Sequence, residues 1–155
     1  GKVAVFHNGK ILQTGTTDEV FKSPANKFVA NFIGVRNFFP GFLKPPDETE
    51  EREVIINDSI TFRLLSNQES GNGYIFLRSK SIIISDSPTL SSAINMFEGE
   101  VVELYKNPKG YELIVDIGIR LSVLLTQRSF NRFEISEGKR IWILFKASAI
   151  RFQKN

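Results

Sequence analysis

The sequence predicts a mainly β protein, with two related β units preceded by a short β-hairpin and two helices. From residue 35 onward, short apolar runs alternate with turn signals at intervals of roughly ten residues, a spacing typical of small barrels or a sandwich. The first 34 residues instead combine an Asn-Gly turn with apolar residues at helical spacing. Two short motifs also occur twice. A chain of 155 residues is therefore expected to hold one ordinary domain, or a small domain with a second piece attached.

Residues 1–34 are predicted to form the hairpin and the two helices. Asn8-Gly9 favours the positive φ angles of a tight turn between two apolar runs. Thr16 and Glu19 have the spacing of a capping box, which predicts a short helix after the hairpin. Ser23-Pro24 begins a second helix, because serine caps a helix and proline is tolerated at its first position.

Residues 35–155 are expected to divide at a Ser- and Pro-rich stretch. This division gives a first β unit at 35–85 and a second at 91–155. The acidic, Pro-bearing segment 44–53 is interpreted as a solvated loop of the first unit.

An internal repeat supports the two units. Residues 37–41 and 95–99 share the form N-x-F-x-G, and residues 78–82 and 146–150 share the form basic, small, x, small, Ile. The two motifs begin 41 residues apart in the first copy and 51 in the second. The sequence therefore predicts two related half-units of unequal length.

Composition argues against catalysis. The chain has no cysteine, which excludes disulfides, cysteine zinc sites, iron–sulfur clusters and thiol nucleophiles. Its one histidine, His7, lies at the predicted hairpin turn, and no phosphate-binding glycine loop, zinc-protease motif or nucleophile elbow is present. The net charge of +3 is mild for a nucleic-acid-binding protein. No catalytic or metal-binding residue is predicted.

An oxyanion site is the more plausible chemistry. Ser91, Ser92 and Asn95 are small polar residues just before a predicted strand, where hydroxyl and backbone N–H groups can surround an anion. Lys146 and Ser148 add a cation and a hydroxyl at the end of the most apolar strand. The alternative, loop hydroxyls and a strand-end lysine without a ligand, stays open.

Thr126 and Ser129 are weaker candidates for an oxyanion site. They lie in a predicted loop, residues 126–129, and offer two further hydroxyl groups.

The first 34 residues resemble the end of the ATPase domain of ABC transporters. The resemblance rests on Asn8-Gly9-Lys10-Ile11, on Gly15 to Glu19, and on the run from Ser23 to Gly34. In import ATPases this pattern leads into a C-terminal regulatory domain of small β-barrel type, called TOBE. In oxyanion systems that domain is close to the molybdate-binding Mop domain.

The later residues are similar to the same domains. Residues 77–82 resemble an R-P-E-D-I element, and residues 91–99 resemble the Mop motif T-S-A-R-N-x-x-x-G, with Ile94 where that motif has arginine. Residues 137–148 resemble the Mop closing strand. The resemblance implies an oxyanion site formed by Ser91, Ser92, Asn95, Lys146, Ala147 and Ser148.

The resemblance implies tandem small OB-like β-barrels of TOBE/Mop type in the ATP-binding subunit of a molybdate or tungstate importer. Molybdate or tungstate would bind in the cytoplasm, at the inner face of the cell membrane, and inhibit transport. The chain is then expected to be a regulatory fragment, with ATP and Mg bound by a parent ATPase domain whose Walker motifs lie upstream of Gly1. The implied partners are a second copy in a homodimer, the permease subunits and the small oxyanion, but no nucleic acid.

Two alternatives stay open. A TOBE domain of a sugar, polyamine, iron or phosphonate importer would act as a dimerisation or docking surface, and Ile94 favours it. An OB-like nucleic-acid module is disfavoured because no aromatic residues are interleaved with a basic stripe.

Overall fold

A computed structural model describes residues 2–7, 10–16, 37–89 and 94–155. These ranges contain twelve strands, one α-helix and two 3-10 helices. The strands are β1 (Lys2–His7), β2 (Lys10–Thr16), β3 (Asn37–Leu43), β4 (Arg52–Asn57), β5 (Ile60–Leu64), β6 (Gly71–Leu77), β7 (Ile83–Ser85), β8 (Ile94–Asn107), β9 (Gly110–Asp116), β10 (Arg120–Thr126), β11 (Arg140–Lys146) and β12 (Arg151–Lys154). The helices are α1 (Gln127–Arg132) and the 3-10 helices η1 (Ser79–Ser81) and η2 (Ala147–Ala149). The prediction of a mainly β chain is confirmed.

The N-terminal strands β1 and β2 pair in antiparallel fashion, and His7 pairs with Lys10. The predicted turn at Asn8-Gly9 and the two predicted helices between residues 17 and 34 lie outside the described residues.

Two antiparallel five-stranded sheets form the rest of the described chain. The order in the first sheet is β5-β4-β3-β6-β12, and in the second sheet β10-β9-β8-β11-β7. Every strand of one sheet therefore has an equivalent at the same place in the other. The repeated motifs of the sequence occupy equivalent places, at the start of β3 and β8 and at η1 and η2.

The two halves exchange their last strands. The short strand β7 follows the first half of the chain but pairs with β11 of the second sheet, and β12 follows the second half but pairs with β6 of the first sheet. The three-residue helices η1 and η2 carry the chain from one sheet to the other. Sheet membership thus differs from the predicted units 35–85 and 91–155 at these two strands.

The N-x-F-x-G motif has a physical reason in each sheet. Asn37 and Asn95 are buried and bind the backbone of the other sheet, as described below. The glycine allows a neighbouring strand to approach, because a Cβ at Gly99 would lie 2.7 Å from the carbonyl oxygen of Asp116, and one at Gly41 would lie 2.8 Å from a Val54 methyl group. The repeat therefore marks equivalent places in the packing.

One apolar core is shared by both sheets. Phe62 of β5 is fully buried and meets Phe97 and Phe145 of the second sheet edge to face, at centroid distances of 5.4 and 5.1 Å. Buried aliphatic side chains from the other strands surround this group. Because the aromatic contacts cross between the sheets, the core holds the two halves together.

A buried arginine anchors the acidic loop of residues 44–51. The Arg52 guanidinium donates to the carbonyl oxygens of Lys44 (2.8 Å), Ser66 (3.1 Å) and Gln68 (2.9 Å). The loop itself is largely exposed, and hydrogen bonds from the Thr49 hydroxyl and backbone N–H lower the pKa of the Asp47 carboxyl. The prediction of a solvated loop over residues 44–53 agrees with this exposure as far as residue 51, but it is wrong for Arg52 and Glu53, which begin β4.

We expect Arg52→Met to lower the free energy of unfolding by about 1.5–3 kcal/mol, because it removes charge-assisted bonds to three carbonyl groups. Urea titration followed by tryptophan fluorescence measures the change. Arg151→Met, at an exposed position of β12, is the control and should stay close to the parent protein. Equal stability of both variants would show that Arg52 does not anchor the loop.

Candidate functional site

Four of the predicted site residues, Asn95, Lys146, Ala147 and Ser148, lie where β11 ends and β8 begins. In the antiparallel register of these strands, Phe145 pairs with Asn95 and Lys146 pairs with Ile94. The structure therefore brings Asn95 next to the segment that runs from Lys146 to Ser148. Ser91 and Ser92 lie outside the described residues.

The Asn95 side chain joins the two sheets by hydrogen bonds, and we call this contact the clamp. Its side chain is 4% exposed; its Nδ2 donates to the carbonyl oxygen of Arg63 at 2.8 Å, and its Oδ1 accepts from the backbone N–H of Arg63 at 2.7 Å. Arg63 lies on β5, the edge strand of the first sheet. The amide thus already has two backbone partners, and it fixes the backbone of Arg63 against the start of β8.

Lys146, Ala147 and Ser148 differ in exposure. The side chains of Lys146 and Ser148 are exposed, whereas Ala147, the first residue of η2, is buried. Lys146 lies on a groove of about 280 Å³. The other residues of this groove are Ser81, Ile83, Leu144, Phe145 and Ala149. A cation beside apolar walls interacts more strongly with an anion than it does in open water, because the local dielectric is lower.

At the equivalent place in the first half, where β3 begins and η1 follows β6, the polar side chains are hydrogen-bonded to one another. Asn37 Nδ2 donates to the carbonyl oxygen of Ser122 at 2.9 Å, and Asn37 Oδ1 accepts from the Ser122 backbone N–H at 2.7 Å. Asn95 forms the same pair of bonds with Arg63. The Ser79 hydroxyl donates to the Ser122 hydroxyl (2.8 Å), which donates to the Glu112 carboxylate (2.6 Å). The first half therefore has a hydrogen-bonded serine, Ser122, at the place where the second half has Arg63.

Thr126 and Ser129 are not part of this junction. Thr126 pairs with Gly110, which pairs with Asn107 at the far end of β8 from Asn95. The prediction of a loop at 126–129 is wrong for residues 127–129, which belong to the helix α1. The helix forms because the Thr126 side chain accepts from the Ser129 backbone N–H at 3.1 Å, as an N-cap does.

A family comparison identifies most of the second half. Residues 91–152 match the TOBE domain. This match includes η2, Lys146 and Asn95, so the described junction belongs to the matched domain.

Relatives of this chain include ATP-binding subunits of ABC transporters. It is 30% identical over 151 residues to the molybdate/tungstate import ATP-binding protein of Pyrococcus abyssi, a match that covers 97% of this chain and 42% of the relative. It is 29% identical over 133 residues to the spermidine/putrescine import ATP-binding protein of Trichormus variabilis, a match that covers 79% of this chain and 34% of the relative. The chain thus spans less than half the length of these relatives. These matches confirm the resemblance to such subunits.

A solved structure has the same fold. The cytoplasmic molybdate-binding protein ModG, crystallised with molybdate bound, superposes with a TM-score of 0.70 over 79% of this chain and 99% of ModG. The two sequences are 13% identical, so the likeness shows the fold alone. The predicted TOBE/Mop type of β architecture is confirmed at this level.

Two further findings apply to the part of the chain that the structure describes. No helix there is long and apolar enough to cross a membrane. No group of three or more His, Cys, Asp or Glu side chains there is arranged to hold a metal ion.

Sequence reasoning missed Arg63. The residue sits 32 positions before Asn95, on a strand of the other half, and only the clamp brings it to the junction. The internal repeat made Asn37 and Asn95 equivalent, but their partners Ser122 and Arg63 lie outside the repeated motifs, so the sequence carried no signal for Arg63.

Proposed function

We propose that this TOBE domain is the regulatory part of the ATP-binding subunit of a molybdate or tungstate importer, and that it binds the oxyanion at the junction of β8 and η2. The observation that carries the proposal is the pairing of Lys146 with Ile94, which sets the lysine beside the segment that leads into Asn95. The relative from Pyrococcus abyssi, a molybdate/tungstate import protein, supports the identity of the ligand.

The residues at this junction suit a tetrahedral dianion. Lys146 supplies a charge-assisted donor, which is roughly twice as strong as a neutral donor. The exposed hydroxyl of Ser148 can donate a second bond. Ser91 and Ser92 remain the predicted donors from the other side.

Inhibition of transport follows if the anion binds one arrangement of the subunits better than another. A ligand shifts such an equilibrium only by the difference between its affinities for the two states. A site close to the second copy in a homodimer would supply that difference when the cytoplasmic oxyanion is plentiful. ATP and Mg would bind elsewhere, in the ATPase part, and the permease subunits would contact that larger protein.

Calorimetric titration of the 155-residue chain with molybdate and tungstate tests the proposal, with sulfate as the comparison anion. We expect Lys146→Gln to weaken binding by about ten-fold or more, because a charge-assisted bond is lost. Lys109→Gln is a matched control, since Lys109 is an exposed lysine in the turn after β8. A folded parent protein that releases no heat with any anion would exclude the oxyanion site.

A second candidate function is supported by the relatives themselves. Several are spermidine/putrescine import ATP-binding proteins, including that of Trichormus variabilis. In an importer of that kind the TOBE domain would be a regulatory surface without an anion site, and Ile94 would be consistent with it. Lys146→Gln and the parent protein would then behave alike in every anion titration.

A further inference from the structure

The exchanged strands β12 and β7 form equivalent edges of the two sheets, but the edges differ in how they are covered. Each strand lies at the end of its sheet and directly follows one copy of the repeated motif basic, small, x, small, Ile. Arg151 of β12 is therefore the equivalent of Ile83 of β7, and Phe152 is the equivalent of Ile84. A difference between these positions does not come from the fold, because the fold is the same on both sides.

In the first sheet, a glutamine side chain covers the edge of β12. Gln68 Nε2 donates to the carbonyl oxygen of Phe152 at 2.7 Å, and Gln68 Oε1 accepts from the backbone N–H of Lys154 at 2.8 Å. The amide thus occupies the place that the backbone of a further strand would take. Arg151 and Lys154 also bring charged side chains to this strand, a common protection of sheet edges. The edge of β12 is therefore closed to another strand.

The edge of β7 lacks both kinds of protection. Among the residues that the structure describes, no side chain forms a hydrogen bond with the backbone of Ile84. The neighbouring Ile83, which stands where β12 has Arg151, is 59% exposed. An unpaired edge with an exposed apolar side chain is the kind of strand to which an extended peptide can add.

The groove beside Lys146 begins at this edge. Ile83 pairs with Leu144 of β11, and both residues line the groove. Since side chains alternate along a strand, Leu144 and Lys146 point to the same face of the sheet. Of the six described residues that line the groove, only Lys146 is charged. The groove can therefore accept an apolar side chain with a carboxylate beyond it.

We propose that the edge of β7 is a docking site for an extended peptide of a partner protein, in which an apolar residue is followed two positions later by Asp or Glu. The peptide pairs antiparallel to β7 and forms backbone hydrogen bonds with Ile84. Its apolar side chain lies opposite Ile83. Because the two strands run in opposite directions, its acidic side chain lies opposite Ser81, on the side of Lys146.

This docking site goes beyond the proposed function, with which it shares Lys146. Since β7 has only three residues, the backbone bonds set the direction of the peptide. The groove then provides the selectivity, as pockets do in other cases of strand addition.

Fluorescence anisotropy with the full chain and the fluorescein-labelled peptide Thr-Thr-Val-Thr-Glu-Thr tests the proposal. We expect Ile83→Arg to weaken binding about ten-fold or more, because it introduces the charged residue that protects the equivalent edge. Ile55→Arg is the matched control, since Ile55 is another exposed isoleucine, on β4, and this variant should stay within about two-fold of the parent. A peptide with lysine in place of glutamate should bind the parent about ten-fold more weakly, and this difference should disappear in Lys146→Gln.

Hydrogen exchange separates strand addition from contact with the groove alone. Saturating peptide should slow exchange of the Ile84 backbone N–H, because that group becomes hydrogen-bonded. The proposal is wrong if this exchange does not change, if the parent does not bind the peptide, or if Ile83→Arg binds as Ile55→Arg does. If sedimentation shows a dimer that Ile83→Arg makes monomeric, the edge belongs to a second copy instead.

Two controls complete the test. A parent protein that binds the peptide but not molybdate would retain this docking site and exclude only the oxyanion site. Circular dichroism confirms folding, and Ile83→Thr, which keeps a β-branched side chain but removes apolar surface, serves if Ile83→Arg does not fold.

Discussion

Phe62→Ala is expected to lower the free energy of unfolding by about 3–5 kcal/mol, the range for removing a buried aromatic side chain. The ring has no solvent exposure. It also forms the edge-to-face contacts with Phe97 and Phe145 that cross between the sheets. Each such pair adds about 0.5–1.5 kcal/mol beyond the burial of its area. The substitution therefore removes apolar burial and inter-sheet contact at the same time.

Urea unfolding followed by fluorescence and by circular dichroism measures this loss. Phe42→Ala is the control, because Phe42 belongs to the same sheet but is 40% exposed. Both probes should report one transition, since strands of both sheets depend on the same core. A Phe62→Ala variant as stable as the control would mean that the two sheets do not share a core.

Asn95→Ala is expected to destabilise the protein by about 2–4 kcal/mol. The truncation leaves the N–H and the C=O of Arg63 without their amide partner, and each buried unsatisfied group costs about 1–3 kcal/mol. Water relieves part of that cost, because Arg63 is only half-buried. The same change should weaken molybdate binding, since the clamp holds β5 against the junction that carries Lys146.

Asn37→Ala separates the two effects. Asn37 makes equivalent bonds to Ser122, so its loss should destabilise the protein to a similar extent. Its junction is closed by Glu112, and binding of molybdate should stay unchanged. Asn72→Ala, on an exposed side chain, controls for the substitution itself. Equal binding by the Asn95→Ala and Asn37→Ala variants would argue against a positioning role for Asn95.

Some strands of the second half have clear local sequence signals. Asn107-Pro108-Lys109-Gly110 is a typical turn sequence, and the structure has a turn between β8 and β9. The strand β7 was not predicted, because its three residues lie beside the Ser- and Pro-rich stretch and find their partner in β11, far along the chain. No local pattern encodes a pairing at that distance.

The candidate site was predictable only in part. A lysine and a serine after an apolar strand indicated an anion, and the register with β8 brings them to Asn95. The clamp on Arg63 could not be predicted from spacing, since it depends on how one sheet packs against the other. Thr126 is an example of a local signal that was misinterpreted. Its hydroxyl group caps the helix α1, whereas the sequence analysis interpreted the hydroxyl groups of Thr126 and Ser129 as oxyanion ligands.

The exchange of β7 and β12 bears on how such a chain arises by duplication. A half that existed alone would lack the fifth strand of its own sheet and would carry a surplus strand after its 3-10 helix. Two copies of that half would complete each other by a reciprocal swap, as exchanged dimers do. The tandem chain is therefore equivalent to a swapped dimer whose subunits have been fused. The two copies in the chain differ at their junctions, where Ser122 in one has Arg63 as its equivalent in the other.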